Sequence, residues 1–335
     1  MARILAADIG GTHSRFAVFE TTGGPLDMED SRWLETRAAT SFVHLLDQLR
    51  DSGFPFEHGF DAAVLAVAGP VVAATRCRLP NVSWSVDLGD VELGARRACL
   101  INDFAAQAHA CRTRVMDGAR ILQSGRAGQG RAGSCGAEVD GAEADAVIGV
   151  IGAGTGLGHS ALIPDQGRWI ALSSEAGHMA FPFTGSDEAG FEAFVRRETG
   201  RGCAEGDVVV SGPGLRLLHA HLTGQWLTPA DISASITPES PTARWFARFY
   251  GRACRNWALA VMPRGGLVVS GGVAARNPML VNIPEFLDEF RNCATHADFL
   301  CSLPVLLNAD ERSGLFGAAA FGSLWLADAT LAGEG

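Results

Sequence analysis

The chain has 335 residues, of which 47% are hydrophobic, and carries a formal charge of −10. That is enough apolar material for a sizeable core, and two lobes are expected rather than one. The acidic balance without an Arg-rich run argues against a nucleic-acid partner, and no apolar stretch approaches the roughly 20 residues of a membrane helix. The sequence contains no Lys, so its basic residues are 27 Arg and 9 His. A Walker-type phosphate loop, a protein-kinase strand Lys and Schiff-base chemistry are therefore excluded. The eight cysteines form no Cys-x-x-Cys pair, and their spacing suggests neither a disulfide frame nor a zinc site. The chain enters a strand almost at once, with no charged leader, which is the pattern of a cytoplasmic protein.

In chain order, residues 3–9 and 14–20 read as a β-hairpin, with Thr22-Gly23-Gly24-Pro25 turning into a third strand near 32–36. Residues 41–51 place Phe42, Leu45, Leu46 and Leu49 at helical spacing behind Ser41 as N-cap. Residues 61–67 are a buried strand ending at Ala68-Gly69-Pro70, and 71–79 a further strand; Asn81-Val82-Ser83-Trp84 is a loop. A short strand over 98–101 ends at Asn102-Asp103, where a helix over 104–111 begins. Residues 123–146 are rich in Gly and Ala, with little periodicity, and read as an exposed, flexible insertion. A second strand–glycine turn–strand unit covers 146–162. Helices follow near 190–199, 213–222 and 242–262, then a strand over 266–270 ending at Gly271-Gly272. A helix over 277–293, a strand over 304–307 and an Ala-rich helix over 313–327 close the chain. The order β-β-β-α-β-α thus occurs twice, which implies α/β layers with ligands at the carboxyl ends of strands.

Two glycine loops stand out, Asp8-Ile9-Gly10-Gly11-Thr12 and Gly152-Ala153-Gly154-Thr155-Gly156-Leu157-Gly158. Each follows an apolar run, and only glycine lets backbone N–H groups close on an anion without a Cβ in the way. Together they suggest two walls around one polyphosphate. Asp8 suits Mg²⁺ held through water, with a capping Asp in a hairpin turn as the plain alternative. Asp103 is placed either to take a proton from an attacking hydroxyl or to cap the helix that follows. Asn102 beside it adds a donor and an acceptor suited to hydroxyls. Glu175 and His178 lie three apart in a small-residue segment, as sugar-hydroxyl partners or as a surface turn. The glycines Gly271 and Gly272 would let a flat base approach the backbone.

Taken in order, these motifs resemble the bacterial glucokinases of the hexokinase–actin–heat-shock-chaperone ATPase superfamily, over nearly the whole chain. The segments Ala66-Val67-Ala68-Gly69-Pro70-Val71, Pro80-Asn81-Val82-Ser83-Trp84 and Val210-Ser211-Gly212-Pro213-Gly214-Leu215 are similar to family segments as well. The resemblance implies a two-lobed, ribonuclease H-like (actin-like ATPase) α/β fold with an active-site cleft between lobes. It implies a small lobe over 1–112, with a C-terminal helix at 312–330 packing back on it, and a large lobe over 113–311. It implies ATP-dependent phosphorylation of the glucose 6-hydroxyl with Asp103 as general base. Asn81, Asn102, Asp103, Glu175, His178 and Asp207 would bind sugar, with Glu205 as the other candidate for the position of Asp207. Gly10, Gly11, Thr12, Gly154, Thr155, Gly156, Gly271 and Gly272 would bind the nucleotide, and Asp8 the Mg²⁺. A homodimer is expected, and no zinc. Three residues depart from the family pattern: His13 for Asn, Ala176 for Gly and Asp207 for Glu. These departures keep open a kinase for another hexose or amino sugar; an actin- or chaperone-like ATPase without a sugar substrate is the rival of a different class.

Overall fold

The computed structural model describes residues 1–80, 82–125, 143 and 145–332, with side chains to 328. Asn81 and most of the glycine-rich stretch, residues 126–142 and 144, lie outside the described residues. The chain divides into two compact units, Met1–Asp117 with Arg312–Gly335, and Gly118–Glu311.

The first unit contains β1 (Ala2–Ile9), β2 (His13–Thr21), β3 (Asp27–Glu35), β4 (Ala62–Val67), β5 (Val71–Val72), β6 (Arg76–Arg78), β7 (Ser85–Asp87) and β8 (Ala98–Asn102). Its main sheet has the order β3-β2-β1-β4-β8, with β4 parallel to both β1 and β8. Every residue of β4 is buried, as expected of a strand covered on both faces. The pleat assigns the faces. Leu5, Ala7 and Leu65 share a core with α1 (Phe42–Asp51), whose Phe42, Leu45, Leu46 and Leu49 point inward. Ser41 caps that helix, its side chain accepting from the His44 amide at 3.0 Å. On the other face, Ile4 and Val64 meet Gly322 of the C-terminal helix Ser313–Ala332. That helix also packs on α2 (Asp103–Ala110), where a Cβ on Gly317 would sit 1.8 Å from the Ala106 carbonyl oxygen.

The second unit contains β9 (Arg120–Gln123), β10 (Ile148–Ala153), β11 (Leu157–Asp165), β12 (Arg168–Ser174), β13 (Leu267–Ser270) and β14 (Val305–Leu307), in the order β12-β11-β10-β13-β14-β9. Its helices are α3 (Gly185–Thr199), α4 (Gly206–Val209), α5 (Gly212–Thr223), α6 (Pro229–Ser235), α7 (Pro241–Val261), α8 (Gly272–Arg276), α9 (Pro284–Arg291) and α10 (Ala297–Ser302). The first five sheet positions repeat the connectivity of the first unit: a meander of three strands, then two strands added in parallel.

The departures from the sequence reading have local causes. The strand expected over 71–79 is a hairpin of β5 and β6, turned at Ala73 and Ala74, whose φ values are 50° and 55°. The helix expected over 277–293 splits into a 3₁₀ turn, Pro278–Val281, and α9, because Pro284 fits a helix only in its first turn. The third strand begins at Asp27, earlier than expected. β12 escaped notice because most of its residues are exposed and none is buried, so no apolar run marks it. Gln123, expected to open the insertion, is instead a buried strand end; its Nε2 donates to the Leu300 and Leu303 carbonyls at 2.8 and 2.6 Å.

Two predictions follow from burial and backbone conformation. Burial lowers the imidazoles of His109 and His159 to about 4, from 6.5. Between those values the unfolded chain binds more protons, so stability is full above 6.5 and falls as pH drops towards 4, by on the order of 3 kcal/mol per ring. Calorimetric melting near pH 7.5 and pH 5 should show a clear drop in Tm, and equal Tm values would contradict it. The Val72–Thr75 turn has both central residues left-handed and is closed by the Thr75 amide donating to the Val72 carbonyl at 3.1 Å. Glycine suits this turn, so Ala74→Gly should stabilise by about 0.5–1 kcal/mol in chemical denaturation, after its larger unfolded-state entropy is subtracted.

Candidate active site

The turn between β1 and β2 is built by backbone geometry. Gly10 donates to the His13 carbonyl at 3.0 Å, and the Thr12 carbonyl accepts from Thr36 at 2.9 Å. Among the described residues, no acceptor takes the Gly11 and Thr12 amides. Two adjacent N–H groups thus remain at an accessible turn, which is what an anion needs. Beside it, the β1–β2 register sets Asp8 opposite Arg15, whose Nη1 lies 3.3 Å from Asp8 Oδ2. The same guanidinium stacks on Trp33, 4.6 Å from the ring centroid. Burial raises the Asp8 carboxyl above its ordinary value, opposed by the charge and hydrogen bond of Arg15. The C-terminal helix can approach only because residue 314 is glycine: a Cβ there would meet Asp8 Oδ2 at 2.6 Å. Sequence reasoning missed Arg15, although the hairpin register it proposed would have set this residue against Asp8.

At the end of β8, the cap weighed as the plain alternative for Asp103 is supplied by its neighbour. Asn102 is the N-cap: its Oδ1 accepts from the Phe104 and Ala105 amides at 2.9 and 3.3 Å. That leaves the Asn102 side-chain NH₂ for a ligand hydroxyl. Asp103 is the first residue of α2, where the helix dipole favours its carboxylate. Its Oδ1 accepts from the Phe104 amide at 3.0 Å. Cys77 lies close enough to feel this charge; burial, and secondarily Asp103, push its thiol up to about 11. A thiol held protonated in this way is no nucleophile at neutral pH.

The second glycine turn repeats the first in kind. Gly154 donates to the Gly156 carbonyl at 2.7 Å, and the Gly154 carbonyl accepts from Gly212, at the start of α5, at 2.8 Å. The Leu157 amide donates to Asp207 Oδ1 at 2.7 Å. The Thr155 and Gly156 amides have no acceptor among the described residues. Gly156 leaves the space that Asp207 occupies, since a Cβ would lie 2.1 Å from Asp207 Oδ1. Gly271 has φ of 88°, and a Cβ on it would sit 2.5 Å from the Ala153 carbonyl oxygen, so the Gly271-Gly272 turn abuts the root of this loop.

The same unit gathers Glu175, His178 and Glu205. The 3₁₀ turn Ala176–His178 follows β12 and sets His178 Nδ1 3.0 Å from Glu205 Oε2, with Nε2 3.7 Å from Glu175 Oε2. Arg201 holds the shared Glu205 oxygen at 2.9 Å. The Glu205 hydrogen bond, reinforced by the charges of Asp207, Glu205 and Glu175, raises the His178 imidazole; the same bond lowers Glu205. The two acids expected for one sugar contact, Asp207 and Glu205, stand in different surroundings. Asp207 lies within α4, and its Oδ1 is committed to the glycine turn, whereas Glu205, the N-cap of α4, stands beside His178. Among the described residues, no group of three His, Cys, Asp or Glu side chains comes together as metal ligands. No helix among them is long and apolar enough to cross a membrane.

A family model described as Glucokinase matches residues 5–324. The glucokinase of Nitrobacter hamburgensis is 30% identical over 327 residues, covering 93% of this chain and 94% of that protein. The solved glucokinase from an Antarctic psychrotroph superposes with a TM-score of 0.76 at 25% identity, over 96% of this chain and 98% of that one. A ROK family glucokinase from Streptomyces griseus, in complex with glucose and AMPPNP, shares the fold, with a TM-score of 0.63 at 20% identity over 95% and 98% of the two chains.

The His178–Glu205 pair gives a titration test. With the carboxylate neutralised in Glu205→Gln, the His178 midpoint should fall towards 6.5, read from imidazole carbon-bound proton shifts by NMR. A midpoint that stays put or rises would show that Glu205 does not hold the proton.

Proposed function

The chain belongs to the glucokinase family, and from that premise we propose that it transfers the γ-phosphoryl group of ATP to the 6-hydroxyl of glucose. The observation that carries this reading is the pair of glycine turns, each offering two adjacent amides without an acceptor, in a chain that has no lysine. Gly11, Thr12, Thr155 and Gly156 amides bind phosphate oxygens, and Arg15 is the side-chain cation on the phosphate side. Gly271 and Gly272 admit the nucleotide close to the backbone. Mg²⁺ fits the residues present: Asp8 offers an oxygen ligand beside the first turn, and an ion that keeps its water needs few protein ligands. Bound there, it would neutralise phosphate charge.

Asn102, Asp103, Glu175, His178 and Glu205 hold the sugar hydroxyls. Of the two acids expected for the fifth contact, Glu205 takes it, since it stands beside His178. Asp103 accepts the 6-hydroxyl proton as the bond from O6 to the γ-phosphorus forms. The bond from that phosphorus to its bridging oxygen breaks, and ADP leaves with the electron pair. The remaining catalysis is positioning and charge stabilisation.

The test is MgATP-dependent ADP release with glucose, mannose, fructose, N-acetylglucosamine or no sugar, alongside Asp103→Asn. Release should require glucose and fall about 10²–10⁴-fold in the variant. Equal release without sugar would point to an ATPase, and faster release with another sugar would change the substrate.

A further inference from the structure

Tyr250 is the only tyrosine of the chain and is fully buried in α7. Its ring is packed edge-on by Phe246 and Phe286, at centroid distances of 6.2 and 5.9 Å. Gly251 lets α9 close over this face, since a Cβ there would meet the Phe286 carbonyl oxygen at 2.1 Å. The ring is therefore fixed, and its hydroxyl points at one place. It accepts from the Ala153 amide at 3.0 Å and donates to the Ser270 carbonyl at 3.2 Å.

Those two groups lie where a sheet ladder ends. Gly152 and Ser270 form the last paired position of β10 and β13. Beyond it the strands part, one into Gly154-Thr155-Gly156 and the other into Gly271-Gly272. The next amide and carbonyl would be orphaned in a dry environment, where an unmet polar group is costly. The phenol hydroxyl replaces the missing rung. Ser270 Oγ, buried at the same junction, has no hydrogen-bond partner among the described residues, so it does not supply that rung.

We infer that Tyr250 is a positioning residue for the nucleotide, tying the second glycine turn to the Gly271-Gly272 turn through its hydroxyl. It touches no substrate. It sets where the Thr155 and Gly156 amides stand relative to the Gly271-Gly272 backbone, and so acts on ATP rather than on sugar. The inference rests on the reading of those two turns as the nucleotide side.

The test compares wild type with Tyr250→Phe, which deletes one oxygen and keeps the ring. The KM for ATP should rise about tenfold, with the KM for glucose within about twofold of wild type. A merely structural role would lower Tm and leave both KM values alone, and that result would overturn the inference. An active wild type with an unchanged Tyr250→Phe ATP dependence overturns the inference alone. A wild type without MgATP-dependent glucose phosphorylation overturns the kinase reading and the inference with it. Because the chain has a single tyrosine, 3-fluorotyrosine incorporation gives one ¹⁹F resonance without any substitution. That line should shift on saturation with MgADP, and an unmoved line counts against the inference even if the phenylalanine variant does not fold.

Discussion

The structure depends on parallel pairing of buried apolar strands, β1 with β4 in one unit and β10 with β13 in the other. Such strands are covered on both faces, so no chemistry fits along their length. The chain can present polar groups only where the strands stop. Asp8, Asn102, Ala153 and Ser270 all lie at or one residue before such ends, and each is followed within a few residues by a turn or a helix start. The two glycine turns are the outcome: the ladder ends, and the amides that would have continued it have no acceptor among the described residues. Gly156 and Gly271 are tied to this geometry, because a Cβ at either would collide with an Asp207 oxygen or the Ala153 backbone.

Helix α7 is the second unit's support, through two kinds of interaction. Tyr250 bonds the Ala153 amide and the Ser270 carbonyl at two strand ends. Two residues on, buried Arg252 donates to Glu188 Oε1 at 3.0 Å and to Glu289 Oε1 at 2.8 Å, with Arg255 sharing the latter carboxylate. Arg252 also donates to the Pro182 carbonyl at 2.8 Å, in the segment that follows His178. Burial alone would raise Glu188; the Arg252 hydrogen bond, the Thr184 amide and the arginine charges outweigh it and hold the acid ionised. Buried ion pairs of this kind contribute little net stability against an apolar alternative, yet breaking one leaves a stranded charge. Their geometry anchors the chain just beyond the Glu175–His178 turn.

Several residues that look reactive in a sequence are chemically quiet in the structure. Cys77, Cys99 and Cys254 are buried thiols held protonated, and His109 and His159 are neutral rings packed on Phe321 and Trp257. Burial disfavours the charged form in every case. His178 is the contrast: half-exposed and flanked by carboxylates, it is the histidine whose proton affinity is raised. Cation chemistry beside the first glycine turn falls to Arg15, whose planar group can stack on Trp33 while pairing with Asp8.

The sequence by itself determined the strand cores, the Ser41 cap, both glycine turns, and the positions of Asp8, Asn102, Asp103, Glu175 and His178 at element ends. These follow from local rules: apolar runs bury, glycine turns, and small polar residues cap. The helix break at Pro284 and the hairpin at Ala73-Ala74 also have local causes, a proline at a helix start and a left-handed turn, while β12 has no buried residue to mark it. Only the tertiary structure decided which acid does what. Glu205 and Asp207 are two residues apart and alike in chemistry, yet one faces His178 and the other holds the Leu157 amide. Only the fold made Asn102 rather than Asp103 the cap and brought the Tyr250 hydroxyl to two strand ends far from it in sequence. The physical reason is that hydrogen bonds are directional and short. Which donor meets which acceptor is fixed by register and by close packing of distant segments, and neither is a property of neighbouring residues.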